Sequence, residues 1–155
     1  GVIGIAFSKE GDLVASIGMN RLFDIQIADW KASTILAYKN TSCDFLLTIN
    51  INPMDCFEMA AAGKNVLHIY QLKGTMIEQS EKLTLTSLNQ EDFTVTCLEY
   101  LCYSIGKRKI RDILISNNKG ELGIICNSVF SVVSSKAHEG MINCLLVWQS
   151  HSGKV

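Results

Sequence analysis

The chain has 155 residues, of which 48% are hydrophobic and 19% charged, a composition that supports a buried core and excludes a disordered or collagen-like chain. Fourteen Lys and Arg against fifteen Asp and Glu leave a formal charge of -1, so the electrostatic footprint of a nucleic-acid-binding surface is missing. Apolar runs such as 45–51 and 144–148 are far shorter than the roughly 20 residues needed to cross a bilayer, and GVIGIAFSKEGD has no basic segment ahead of an apolar one. The expectation is an intracellular chain without a membrane span, and a start at Gly1 rather than methionine reads as part of something longer.

In chain order, GVIGIAF, DLVASIG and RLFDIQIADW are short runs rich in Val, Ile and Phe, separated by SKEGD and MN. Alternation of this kind between Gly- and Asn-bearing turns predicts strands, with STILAYKN as a fourth. Gly11 suits the positive φ of a hairpin turn. A second round follows: FLLTININPMD, CFEMAAAGKN, VLHIYQLKG and KLTLTSLN. Pro53 falls at a turn, where its missing N–H does least harm. The four residues MAAA lie between turn signals too closely spaced for a helix and are assigned to a strand. A third round comprises FTVTCLEYL, an insertion CYSIGKRKIR, then DILISNNKG, ELGIICN and VFSVVSSKA, and MINCLLVW opens a fourth.

Ile5 and Ile49, Gly18 and Gly63, and Cys97 and Cys144 recur at spacings of 44, 45 and 47 residues. Four short strands per repeat of this length is the pattern of propeller blades. The expected fold is all-β, a β-propeller segment of about three four-stranded blades plus the start of another, over 1–42, 43–90, 91–136 and 137–155. An immunoglobulin-like sandwich is the competing reading, but it does not require turn signals at matching places in each period. No amphipathic run of ten residues separates the strands, which argues against a doubly wound α/β fold.

Four of the fourteen cationic residues, Lys107, Arg108, Lys109 and Arg111, concentrate in the insertion. They are the candidate contacts to an acidic partner, against the plainer reading of a solvated hairpin tip. Cys43, Cys56, Cys97, Cys102, Cys126 and Cys144 form no CxxC pair, and His68, His138 and His151 are scattered, so neither set has metal-ligand spacing. The thiols at 56, 97, 126 and 144 sit in apolar runs and are expected to be core residues in a reducing compartment. SNNKGELG lacks the GxxxxGK[ST] pattern and the following helix of a phosphate loop and reads as a turn. Glu91 and Asp92 face no second carboxylate identifiable from the sequence. His138 lacks an evident nucleophile or orienting acid. No catalytic residue, cofactor or small-molecule substrate is expected.

In FSKEG at 7–11, VASIG at 14–18, Asp29-Trp30 and AHEGMINCL with His138 and Gly140, the chain resembles WD-repeat proteins. The dipeptide is in the order Asp-Trp, and the corresponding strands of the next two periods end in IYQL and IICN. Together with ININPMD and AAAGKNVLHIYQLKG, these segments are most like the echinoderm microtubule-associated protein-like group and related cilia- and flagella-associated WD-repeat proteins. That resemblance implies a non-catalytic scaffold in the cytoplasm and cytoskeleton or the ciliary axoneme, with tubulin or axonemal proteins as partners. It also implies that Asp29, Trp30, His138 and Gly140 are structural blade residues. A WD-repeat adaptor in a non-ciliary complex, binding peptide motifs or associated with RNA, is the alternative.

Overall fold

The computed structural model describes residues 1–41, 45–86, 92–105 and 108–147, with side chains described at all of these except 105, 108 and 109. They form twelve strands in three four-stranded antiparallel sheets, and no helix occurs among the described residues. The first sheet holds β1 (Val2–Phe7), β2 (Leu13–Gly18), β3 (Ile25–Asp29) and β4 (Thr34–Lys39). The second holds β5 (Leu46–Ile51), β6 (Glu58–Gly63), β7 (Val66–Lys73) and β8 (Met76–Thr84), and the third β9 (Val95–Ile105), β10 (Arg108–Asn117), β11 (Leu122–Cys126) and β12 (Val129–Ser134). Within each sheet the spatial order is the chain order. The first strands pack side by side, β1 against β5 and β5 against β9, so the sheets fan out from a common inner edge.

Two apolar cores hold the fan together. Between the first and second sheets lie Ala15, Ile17, Ile25 and Ile27 with Leu46, Ile49, Met59, Ala61, Val66 and Tyr70. Between the second and third lie Ala60, Ala62, Leu67 and Ile69 with Phe93, Leu98, Tyr100, Ile113 and Ile115. The alternation of β6 and β7 explains this division: Met59 and Ala61 face one neighbour, Ala60 and Ala62 the other. MAAA is therefore the strand of a sheet covered on both sides, where alanine lets the flanking sheets approach. Full burial of each large aliphatic residue contributes roughly 1.5–3 kcal/mol, so Ile17, Ile25, Leu67 and Ile115 stabilise the sheet-to-sheet junctions. The far faces of the end sheets leave Ile35, Tyr38, Val129 and Val133 more than half exposed.

Three segments depart from their sequence-based assignment. KLTLTSLN contributes only its first three residues to β8, which starts at Met76. Gly74, at φ 61°, reverses the chain so tightly that Lys73 pairs with Met76. CYSIGKRKIR is not an insertion between strands: the β9–β10 ladder runs unbroken from Ser116 paired with Cys97 to Arg108 paired with Ile105, making one long hairpin. Among the described residues of MINCLLVW, 141–147, no strand forms. This stretch meets β9 through side chains, with the Thr96 hydroxyl donating to the Ile142 carbonyl at 2.6 Å, and such contacts do not make a backbone ladder.

The thiols divide differently from expectation. Cys97 and Cys102 are buried and Cys126 half-buried, but Cys56 and Cys144 are exposed, and none of the five is in a disulfide. Cys56 lies in the turn preceding β6 and Cys144 in the unladdered segment, so neither is carried into a sheet junction. Cys43 lies outside the described residues.

Candidate functional site

The β9–β10 hairpin is the longest among the described residues, with strands of eleven and ten residues. Its proximal half is core: Ile113 and Ile115 alternate toward the second sheet. Arg111 is the next residue outward on that same face, paired across the ladder with Cys102. The guanidinium forms an ion pair with Glu58 at the start of β6, the arginine side chain 34% and the glutamate 12% exposed. Glu58 is fixed in turn by Asn52, whose amide donates to it at 2.9 Å. The Cys102 thiol donates to the same asparagine's Oδ1 at 3.4 Å. On the opposite face of the hairpin, the Tyr103 hydroxyl donates to Asp112 at 2.7 Å.

Burial sets the electrostatics around this cluster. It pushes the Tyr100 hydroxyl, beside Glu58 and Arg111, well above its ordinary range. Burial, reinforced by the Glu58 charge, also raises the Cys102 thiol, leaving it protonated and a poor nucleophile.

Of the four cations read as contacts, Arg111 is engaged within the molecule. Lys107 lies outside the described residues. Arg108 and Lys109 open β10. The sequence signal for Arg111 is its period-two spacing from Ile113 and Ile115, which puts it on a core-facing row.

The blade-signature residues are spread over two places. Asp29 ends β3 and accepts from the Ala32 N–H at 2.8 Å, closing the β3–β4 turn. Trp30 follows it half-exposed, meeting Phe7 edge-to-face at 6.1 Å between centroids, and its indole N–H donates to the Gly11 carbonyl at 2.7 Å. His138 and Gly140 lie in the exposed segment after β12. Backbone N–H groups of Ala137 and His138 donate to the Gly120 carbonyl, and the imidazole Nδ1 accepts from Gly140 at 3.4 Å within its own turn rather than bridging strands. His68 is buried in β7 and stacks on Tyr70, while His151 lies outside the described residues.

Two turns legible in the sequence are held by buried asparagines that the sequence does not single out. Asn52 accepts from the Met54 N–H and donates to Glu58 in the β5–β6 turn. Asn117 accepts from the Lys119 and Glu121 N–H groups and donates to Glu121 in the β10–β11 turn, within the stretch read as a turn. Asn followed four to six residues later by Glu is the signal shared by both.

Along the inner edge runs an open groove of about 310 Å³, lined among others by Phe7, Lys9, Pro53, Glu99 and Tyr100. Burial raises the Glu99 carboxyl above its ordinary value, while the hydrogen bond it accepts from Asn50 at 3.0 Å works the other way. Among the described residues, no group of three or more His, Cys, Asp or Glu side chains is arranged to hold a metal ion.

Three four-stranded antiparallel sheets fanned about their first strands define a segment of a β-propeller. No family model matches the chain. No curated protein matches it either. Among solved structures, the chain is similar to the β-propeller domain of Cps50 (Swd1) from Myceliophteria thermophila, with a TM-score of 0.63 and 14% sequence identity. The match covers 98% of this chain and 46% of that one, so the chain spans less than half the length of this neighbour.

Proposed function

We propose that this chain is a non-catalytic WD-repeat scaffold in a microtubule-associated or axonemal assembly, and that its β9–β10 hairpin docks on an acidic protein surface. The observation that carries this reading is the hairpin itself. A ladder reaching Ile105 and Arg108 carries the braced two-stranded arm into 107–111, the densest cationic stretch of the sequence. Rigid sheets holding such an arm in one orientation favour distributed contacts over chemistry. Tubulin, with its acidic surface, is the partner class to which the sequence resemblance also leads.

Co-sedimentation with microtubules tests the proposal. The chain should pellet with them at low salt, less so as salt rises, because exposed cation–carboxylate contacts are screened. Replacing Lys107, Arg108 and Lys109 together by alanine should weaken pelleting about tenfold, on the order of 1.4 kcal/mol. Failure to pellet, or pelleting indifferent to the triple substitution, would sink it. A folded chain that never associates with microtubules would leave the adaptor of a non-ciliary complex as the better description.

A further inference from the structure

The geometry points to Arg111 as a positioning residue of the hairpin rather than one of its partner contacts: paired with Glu58, it fixes the direction in which the distal half of β9–β10 stands. This rests on the reading of the hairpin as the docking element. Beyond Cys102, which pairs with Arg111 at the margin of the apolar core, the hairpin leaves that core, and a two-stranded ribbon on its own is marginal in water. Side chains of this region reach the β5–β6 turn of the neighbouring sheet, the Tyr100 hydroxyl lying beside Glu58. Two of these ties are the Arg111–Glu58 ion pair and the Cys102 thiol on Asn52. Asn52 and Glu58 are themselves bonded to each other, so both ties end on one preformed corner. The backbone of that corner is closed as well, the Asn52 N–H donating to the Glu58 carbonyl at 2.9 Å.

The two ties differ in strength. A thiol is a weak donor, whereas a charged guanidinium on a largely buried carboxylate makes one of the stronger hydrogen bonds a protein has. The ion pair therefore governs the orientation. The Tyr103–Asp112 bond joins β9 to β10 and stiffens the ribbon, but it reaches no other sheet. Without Arg111 the distal ribbon would open more often and would no longer be held in one direction.

Hydrogen exchange on the 155-residue chain separates this role from direct contact. Arg111→Met keeps the apolar stem and removes the charge; Glu58→Gln keeps an acceptor for Asn52 and removes the charge. Each should speed exchange of the amides at 101–105 and 110–112 about tenfold while the β1–β4 amides, the internal reference for folding, are unchanged. The double variant should be no faster than either single one, because both remove the same interaction, and Arg111→Lys should stay near the parent rate. Unchanged exchange in Arg111→Met, or additive effects in the double variant, would overturn the assignment. If Arg111→Met disturbs the reference amides, Glu58→Gln alone decides by the same criterion. Lys107→Ala/Arg108→Ala/Lys109→Ala should weaken microtubule binding about tenfold with hairpin exchange unaltered. Should that variant bind normally, the docking reading falls, while the exchange result still decides whether Arg111 positions the hairpin.

Discussion

The Trp30 indole N–H and the Gly11 carbonyl, nineteen residues apart, meet at 2.7 Å and tie the β3–β4 turn to the β1–β2 turn. Gly11 sits at φ 69°, so the turn that presents this carbonyl depends on a left-handed residue. Trp30→Phe would keep an edge contact with Phe7 but lose the hydrogen bond, costing about 1 kcal/mol. Trp30→Ala would lose both, about 2 kcal/mol. Urea midpoints should fall in that order with unchanged slope, and equal midpoints for Trp30→Phe and the parent would show that the bond contributes nothing.

Asn117 is fully buried and holds the backbone N–H groups of residues 119 and 121 together with the Glu121 carboxylate. Asn117→Ala strands these groups in a buried turn and should cost about 2–3 kcal/mol. Asn118→Ala, at an exposed neighbour, should change stability by less than about 0.5 kcal/mol. Denaturant titration of the pair checks the contrast, which would vanish if the turn were held by its backbone alone.

Glycine is required for different reasons at 63 and 74. A Cβ at Gly63 would overlap the Phe45 carbonyl and the Leu46 Cα, which are backbone atoms that cannot swing aside. Gly63→Ala should therefore cost on the order of 3 kcal/mol or prevent folding. At Gly74 there is open space but φ is 61°, so Gly74→Ala should cost only about 1 kcal/mol of backbone strain. Thermal unfolding should rank the two well apart, and equal losses would contradict the close approach at Gly63.

Burial raises the Glu99 carboxyl above its ordinary 4.5, against the smaller opposing effect of Asn50. The folded chain thus holds this proton more tightly than the unfolded chain does. The resulting stability is fully present below the unfolded value and is lost as pH rises through the raised folded value. Glu99→Gln, which can still accept from Asn50, should be more stable than the parent at neutral pH, the gap closing toward about pH 4. Urea midpoints across that range would show no convergence if Glu99 were fully hydrated.

The turn residues and the period were legible because they depend on neighbours in sequence. Alternation in VASIG and DIQIADW, Gly11 as a reversal, and the return of the pattern after 44–47 residues are all local signals. Even the division of MAAA between two cores follows from a period of two once the stretch is taken as a strand. The end of β9 and the start of β8 are not legible in this way, because polar composition reads as the interruption of a strand, whereas pairing with the adjacent strand sustains it.

Side-chain periodicity and backbone preference suffice for the all-β character and the strand-and-turn rhythm, and the order of residues alone shows the clustering of cations near 107–111. Folding is what pairs Arg111 with Glu58, closes Trp30 on Gly11, and sets Asn52 against both Glu58 and Cys102. These are meetings of residues brought together by sheet stacking and cross-sheet packing, and a chain read one neighbour at a time carries no distance between them.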